Sequence, residues 1–153
     1  MNTNSKGPGH PIAGFRGEYA FLSNFHHAVI WMSANEYPSV EHAYQAAKTL
    51  DSEERLIIRT APTPAEAKRL GRTMTIQPAW EGMRLSTMRS LLLKKFGPQN
   101  PLLTDKLLAT RDRKLIEVNN WGDIFWGVCR GRGLNWLGRL LMNVRIQRAC
   151  EVK

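Results

Sequence analysis

Helix-start and helix-stop signals cut the middle of the chain into short pieces, and this punctuation limits the fold more than any other feature. Ser39, after Pro38, is placed as the N-cap of a helix running to about Leu50. "SEERLIIRT" opens a second helix at Ser52 with glutamates in its first turn, and Thr63 with Pro64 at the first helical position opens a third. Leu85, Met88, Leu92 and Phe96 recur at helical spacing until Gly97-Pro98 stops them. "PLLTDKLLAT" reads as another short helix, and Leu134, Leu137, Leu141 and Val144 share one side of a closing helix. Strand signals are fewer. "GEYAFLSNF" and "HAVIWM" predict one or two short strands, and "KLIEV" alternates as a strand does. The expected fold class is α+β, mostly helical, with a small sheet near the N-terminal half.

No repeat or long linker divides the 153 residues, which suit one domain with a core of its own. The polar, Gly/Pro-containing start predicts a flexible tail over residues 1–13, followed by a folded domain over residues 14–153 and no signal peptide. No apolar run approaches the roughly 20 residues that span a bilayer, so the expectation is a cytoplasmic protein without membrane contact. Cys129 and Cys150 lack CxxC spacing and are expected as reduced thiols. His10, His26, His27 and His42 form no ligand pattern, so no metal is expected. The formal net charge of +9 favours polyanionic partners such as nucleic acid, or ligands bearing phosphates.

Two stretches carry residues suited to chemistry. In "SVEHAYQAAK", about 100° per residue places Glu41, Tyr44, Gln45 and Lys48 on one face and Val40, Ala43, Ala47 and Leu50 on another. Glu41 lies in the first turn, where the helix dipole keeps a carboxylate ionised. By itself the stripe is an ordinary solvated face with a loose ion pair. The second stretch, "NNWGDIFWGVCRGRGLN", sets tryptophans and Asp123 in a Gly-rich loop, either a pocket that stacks a planar group or a hydrophobic plug with Asp123 as a turn residue. Trp80 in "IQPAWEGM" reads as core. The glycine spacing matches neither a dinucleotide fingerprint nor a P-loop, so no cofactor is expected. Basic residues are scattered, and Arg130 and Arg132 flank the Trp/Gly loop where they could meet phosphates.

"GEYAFLSNF", "YPSVEHAYQAAK", "DIFWG" and "GLNWLGRLLMNVR" stand in this order, with Trp80 and "KKFGPQN" between. The ordered set resembles the NADAR domain, or YbiA-like, family over about residues 15 to 148. The resemblance implies a mostly helical α+β domain that cleaves N-glycosidic bonds. It implies Glu41, Lys48 and Asp123 as catalytic residues. Asn24, Tyr44, Trp80, Trp126, Gly127 and Asn135 are implied as substrate-binding residues. It turns the polar stripe of the first helix into a pocket wall. The chain differs from many relatives after Gly127, where "VCRGRG" stands, and Arg130 and Arg132 are the expected nucleic-acid contacts.

Family members are linked to two substrate classes. One is ADP-ribose on the amino group of guanine, in DNA or nucleosides, with some members acting as antitoxins to DarT-type ADP-ribosyltransferases. The other is a set of phosphorylated ribosylamino-pyrimidine intermediates of riboflavin synthesis. The charge favours the first, so the expected partners are ADP-ribosylated DNA or ADP-ribose-guanosine, with a DarT-type toxin as genetic partner and the protein itself a monomer. A third alternative is a non-enzymatic module that binds nucleic acid or a toxin.

Overall fold

A computed structural model describes residues 9–152. Helix α1 (Val40–Ala47) begins where Ser39 accepts a hydrogen bond from the His42 N–H. Helix α2 (Ser52–Arg59) begins on the Asp51 carboxylate, which accepts from the Glu53 and Glu54 N–H groups, and α3 (Pro64–Gly71) on Thr63, which accepts from Glu66. Each cap satisfies a donor that the first helical turn cannot. Helix α4 (Trp80–Lys95) starts earlier than the Leu/Met spacing predicts, because Trp80 itself is buried in its first turn. Helices α5 (Pro101–Ala109) and α6 (Trp136–Glu151) complete the set.

Every residue of α1 is buried, because α2, α3 and α4 all pack against it. Ala43 and Ala46, fully buried, let those neighbours approach closely. Gly71 of α3 lies so near the Gln45 side chain that a β-carbon there would collide with the Gln45 carboxamide oxygen. Behind this layer α4 packs on α6, closing a core that includes Met88, Leu91, Leu92, Leu141 and Val144. Truncating a fully buried leucine such as Leu92 to alanine costs on the order of 2–5 kcal/mol.

The fold is the expected helix-dominated α+β domain, but its strands form three separate pairs. Strand β1 (Ile12–Ala13) runs parallel to β4 (Leu115–Ile116), β2 (Ile30–Met32) antiparallel to β3 (Asn35–Tyr37), and β5 (Val118–Asn119) parallel to β6 (Val128–Cys129). Residues 1–8 of the expected tail lie outside the described residues. Ile12 is buried and paired with Leu115, so ordered structure begins before Gly14. "GEYAFL" is a 3-10 helix, Gly17–Leu22, and not a strand: Gly17 enters it at φ +56°, and Phe21 turns inward to meet the Phe96 ring edge-on at 6.5 Å. Leu50 falls beyond the end of α1 and is 70% exposed. Leu134 precedes α6, which cannot start before Asn135 because that residue sits at φ +53°.

Lys95, at the end of α4, has no exposed surface, and its ammonium donates to the Ser23 carbonyl at 2.7 Å. This bond holds the Ser23–Asn24 turn against the core, and the Asn24 carbonyl in turn accepts the Glu41 N–H at 3.1 Å. Burial brings the Lys95 pKa down to about 7.

Candidate active site

A cavity of about 390 Å³ opens between α1, α3, α4, the turn around Asn24 and the segment from Glu117 to Trp126. That volume suits a nucleotide-sized ligand. The polar stripe of α1 forms one wall, with Glu41, Tyr44, Gln45 and Lys48 all lining it. The stripe is therefore not solvated surface: α3 and α4 pack on either side of the helix and the 117–126 segment faces it.

Glu41 is buried, and its Oε1 accepts a hydrogen bond from Gln45 Nε2 at 2.7 Å. Burial raises its carboxyl pKa, against the lowering effects of the Gln45 bond and the Lys68 and Lys48 charges. Desolvation therefore outweighs the favourable helix terminus that was expected to hold the charge, and the net shift is upward. Lys48 caps the C-terminal end of α1, with its Nζ 5.4 Å from the Tyr44 ring centroid. Burial lowers its pKa and the Glu41 charge opposes the shift.

An aromatic cluster adjoins the stripe through Tyr44. Tyr44 lies 5.1 Å from Trp80 and 5.5 Å from Trp126, and burial raises its phenol pKa above the ordinary value. Trp126 is braced edge-on by Phe125 at 4.9 Å, and the Arg84 guanidinium covers the other ring at 3.7 Å. At the mouth Lys68 stands 5.9 Å from the Phe25 ring and 5.4 Å from the Trp121 ring. Asn24 turns its amide N–H₂ to the Met88 sulfur at 3.5 Å, leaving its buried Oδ1 without a partner among the described residues.

Asp123 serves both loop and cavity. Its Oδ1 accepts the N–H groups of Phe125 at 3.1 Å and Trp126 at 2.9 Å, so it is the turn residue of one sequence reading. It also lines the cavity, as the other reading required. Asn119 fixes the turn from behind through both of its amide atoms, bonded to the Asp123 backbone.

These features can be set beside known proteins. The NADAR domain pattern matches residues 14–147. The chain belongs to the NADAR family. It is 39% identical over 137 residues to the N-glycosidase YbiA of Shigella flexneri serotype 5b (strain 8401), covering 88% of this chain and 84% of the relative. It is also 39% identical over 122 residues to the chloroplastic riboflavin biosynthesis protein PYRR of Zea mays, covering 71% of this chain and 19% of that protein. The NMR structure of the Escherichia coli protein YbiA superposes with a TM-score of 0.79 at 34% identity, covering 99% of this chain and 95% of that one.

Of the residues implied by the NADAR resemblance, Asn24, Glu41, Tyr44, Lys48, Trp80, Asp123 and Trp126 line the cavity together. Gly127 and Asn135 do not. Gly127 lies where a β-carbon would be 2.5 Å from the Glu117 carbonyl oxygen, so its place is set by close backbone approach. Asn135 spends its side chain on the backbone, accepting the Glu117 N–H at 3.0 Å and donating to the Leu115 carbonyl at 2.9 Å. Arg130 and Arg132 stand exposed on the turn after β6, outside the cavity.

Sequence reasoning missed Glu117, Lys68 and Arg84 as cavity residues of this NADAR domain. Glu117 carried a signal: in the alternating "KLIEV" it shares a strand face with Leu115, which is fully buried. Among the described residues no three His, Cys, Asp or Glu side chains gather as a metal-binding group. No described helix is long and apolar enough to cross a membrane.

Proposed function

We propose that the protein is an N-glycosidase that removes ADP-ribose from the amino group of guanine in ADP-ribosylated DNA, as an antitoxin or repair activity against a DarT-type transferase. The observation that carries the reaction class is that one cavity is lined both by the carboxylates Glu41 and Asp123 and by the aromatic rings of Tyr44, Trp80 and Trp126. Breaking a C1′–N bond passes through a ribose with cationic character, and a nearby carboxylate stabilises that state. Glu41 is the group assigned to it. The indole faces of Trp80 and Trp126 suit a planar base, and Asn24 Oδ1 can accept from a ribose hydroxyl or a base edge. Lys68 and Arg84 give the cavity two cations for phosphates. The net charge of +9 and the exposed Phe25 and Trp121 at the mouth suit a base presented from a longer polyanion.

A second reading is favoured by the likeness to a riboflavin biosynthesis protein: hydrolysis of a phosphorylated ribosylamino-pyrimidine, which a cavity of about 390 Å³ would enclose whole. One experiment separates the readings. The protein is incubated with DNA carrying ADP-ribosylated guanine and, in parallel, with the ribosylamino-pyrimidine phosphate, and both mixtures are analysed by mass spectrometry. Free ADP-ribose with restored guanine is expected. Cleavage of the pyrimidine compound alone establishes the second reading, and binding of modified DNA with no cleavage of either substrate establishes a non-enzymatic module.

A further inference from the structure

We infer that Glu117, on the strand segment leading into the Trp/Gly loop, is the acid that protonates the departing nitrogen, an assignment that rests on the N-glycosidase reading above. Its backbone is clamped on both sides. The Glu117 N–H is held by Asn135 Oδ1 at 3.0 Å, and its carbonyl accepts the Val128 N–H at 2.7 Å. Gly127 lies against both the Glu117 carbonyl and its side-chain methylenes, at a distance no larger residue tolerates. Gly127 and Asn135, which do not reach the cavity, thus act on it by fixing where the Glu117 side chain enters.

That side chain lines the cavity beside Asp123, and its Oε2 is buried without a hydrogen-bond partner among the described residues. A buried carboxyl oxygen with no protein partner is costly unless something else supplies one. A proton on the carboxyl lessens that cost, because a neutral group loses less on burial than an anion does. The groups that act on Glu117 agree with a protonated state. Burial and the Asp123 charge raise its pKa to about 7, against the opposing Lys68 of α3 and Arg16. A carboxyl that keeps its proton near neutral pH is suited to general acid catalysis.

The chemistry needs such a group. An exocyclic amino nitrogen leaves poorly as an anion and readily as a neutral amine. As the C1′–N bond breaks, its electron pair stays on nitrogen and the Glu117 proton joins it, releasing the base as a free amine. Water then adds its oxygen to C1′ and gives up the proton that restores Glu117. Atoms and charge balance with water as the only co-reactant.

The test is Glu117→Gln, which keeps shape and hydrogen bonding but has no proton to give, beside Glu117→Asp, which keeps the acid on a shorter arm. In the parent, kcat/KM should fall as pH rises through about 7. Glu117→Gln should lose roughly 100-fold or more in kcat with KM little changed, and that alkaline limb should vanish, while Glu117→Asp retains it. An alkaline limb that persists in a folded Glu117→Gln overturns the assignment, because a residue with a purely structural role lowers the rate at every pH alike. Carbon-13 NMR titration of the Glu117 carboxyl in the parent needs no activity, and a carboxyl that titrates in the ordinary carboxylate range overturns it too. A parent that cleaves neither substrate instead removes the N-glycosidase reading beneath it.

Discussion

The Gln45 side-chain amide donates to Glu41 Oε1 across 2.7 Å, one turn along a helix that shows no face to water. The bond stabilises the ionised form of Glu41 where burial works against it. Gln45→Met should therefore raise the Glu41 pKa and move the acid limb of kcat/KM to higher pH. Glu41→Gln should lower kcat by roughly 100-fold or more with little effect on substrate binding. A folded Glu41→Gln of near full activity would take Glu41 out of the reaction.

Lys48 is made easier to deprotonate by its burial, although Glu41 opposes this. As a free amine it can attack C1′ and form a Schiff base with the opened sugar. With water as the nucleophile, borohydride added during turnover should leave no sugar adduct on Lys48, read by peptide mass spectrometry, and an adduct there would make Lys48 the group that attacks C1′ first. An active enzyme that yields no adduct assigns Lys48 to substrate binding and leaves water as the nucleophile.

The two roles of Asp123 can be separated by two substitutions. Asp123→Asn keeps an acceptor for the Phe125 and Trp126 N–H groups, so the melting temperature should stay near that of the parent. It removes the negative charge that helps raise the Glu117 pKa, so the alkaline limb should move to lower pH. Asp123→Ala leaves both N–H groups without that acceptor and should cost about 1–3 kcal/mol in denaturant unfolding. Equal stability of the two variants would mean the loop does not depend on Asp123.

Arg130 and Arg132 lie outside the cavity, so their effect should depend on the length of the substrate. If they hold the DNA backbone, replacing both with Gln should weaken action on modified DNA. The salt dependence of DNA binding should flatten by a slope of up to about 2 for two lost phosphate contacts. Cleavage of free ADP-ribosylated guanosine should hardly change. Equal losses on both substrates would place the arginines in support of the fold.

Lys95 gives a stability signature with a defined sign. Its pKa is about 7 in the folded protein against an ordinary 10.5, so folding displaces a proton between those values. The stability this group contributes is present above the unfolded value and is lost as pH falls through the folded one. Lys95→Met has no such dependence. Its melting temperature relative to the parent should rise as pH is lowered from about 10 to about 7 and level off below that. A difference that does not change with pH would show that the parent accommodates the ammonium at no cost.

The sequence announced what is decided locally. Ser39, Thr63 and Pro64 mark helix starts because a cap acts within a few residues of itself. The period of α1 placed Glu41, Tyr44, Gln45 and Lys48 on one face, but a period cannot say what covers that face, and only the ordered family pieces pointed to a pocket. The aromatic residues of "GEYAFL" suggested a strand, yet Phe21 packs against Phe96, a contact between distant parts of the chain that a compact 3-10 turn makes possible. Gly127 and Asn135 lie outside the cavity lining and against the Glu117 backbone, contacts made across the fold that no local pattern marks.

The pairing of Ile12 with Leu115 joins an early segment of the chain to a late one, and the wall bearing Glu117, Asp123 and Trp126 follows directly after it. During synthesis, α1 leaves the ribosome with the helices that flank it on the way and the facing wall still unmade. Contacts of such sequence separation form slowly, because the long intervening loop must close first. A partly made chain can therefore hold helices α1 to α3 together while having no chamber in which to break a bond. Regained turnover after dilution from denaturant should then lag behind regained helicity, making activity a clock for the docking of the last third of the polypeptide.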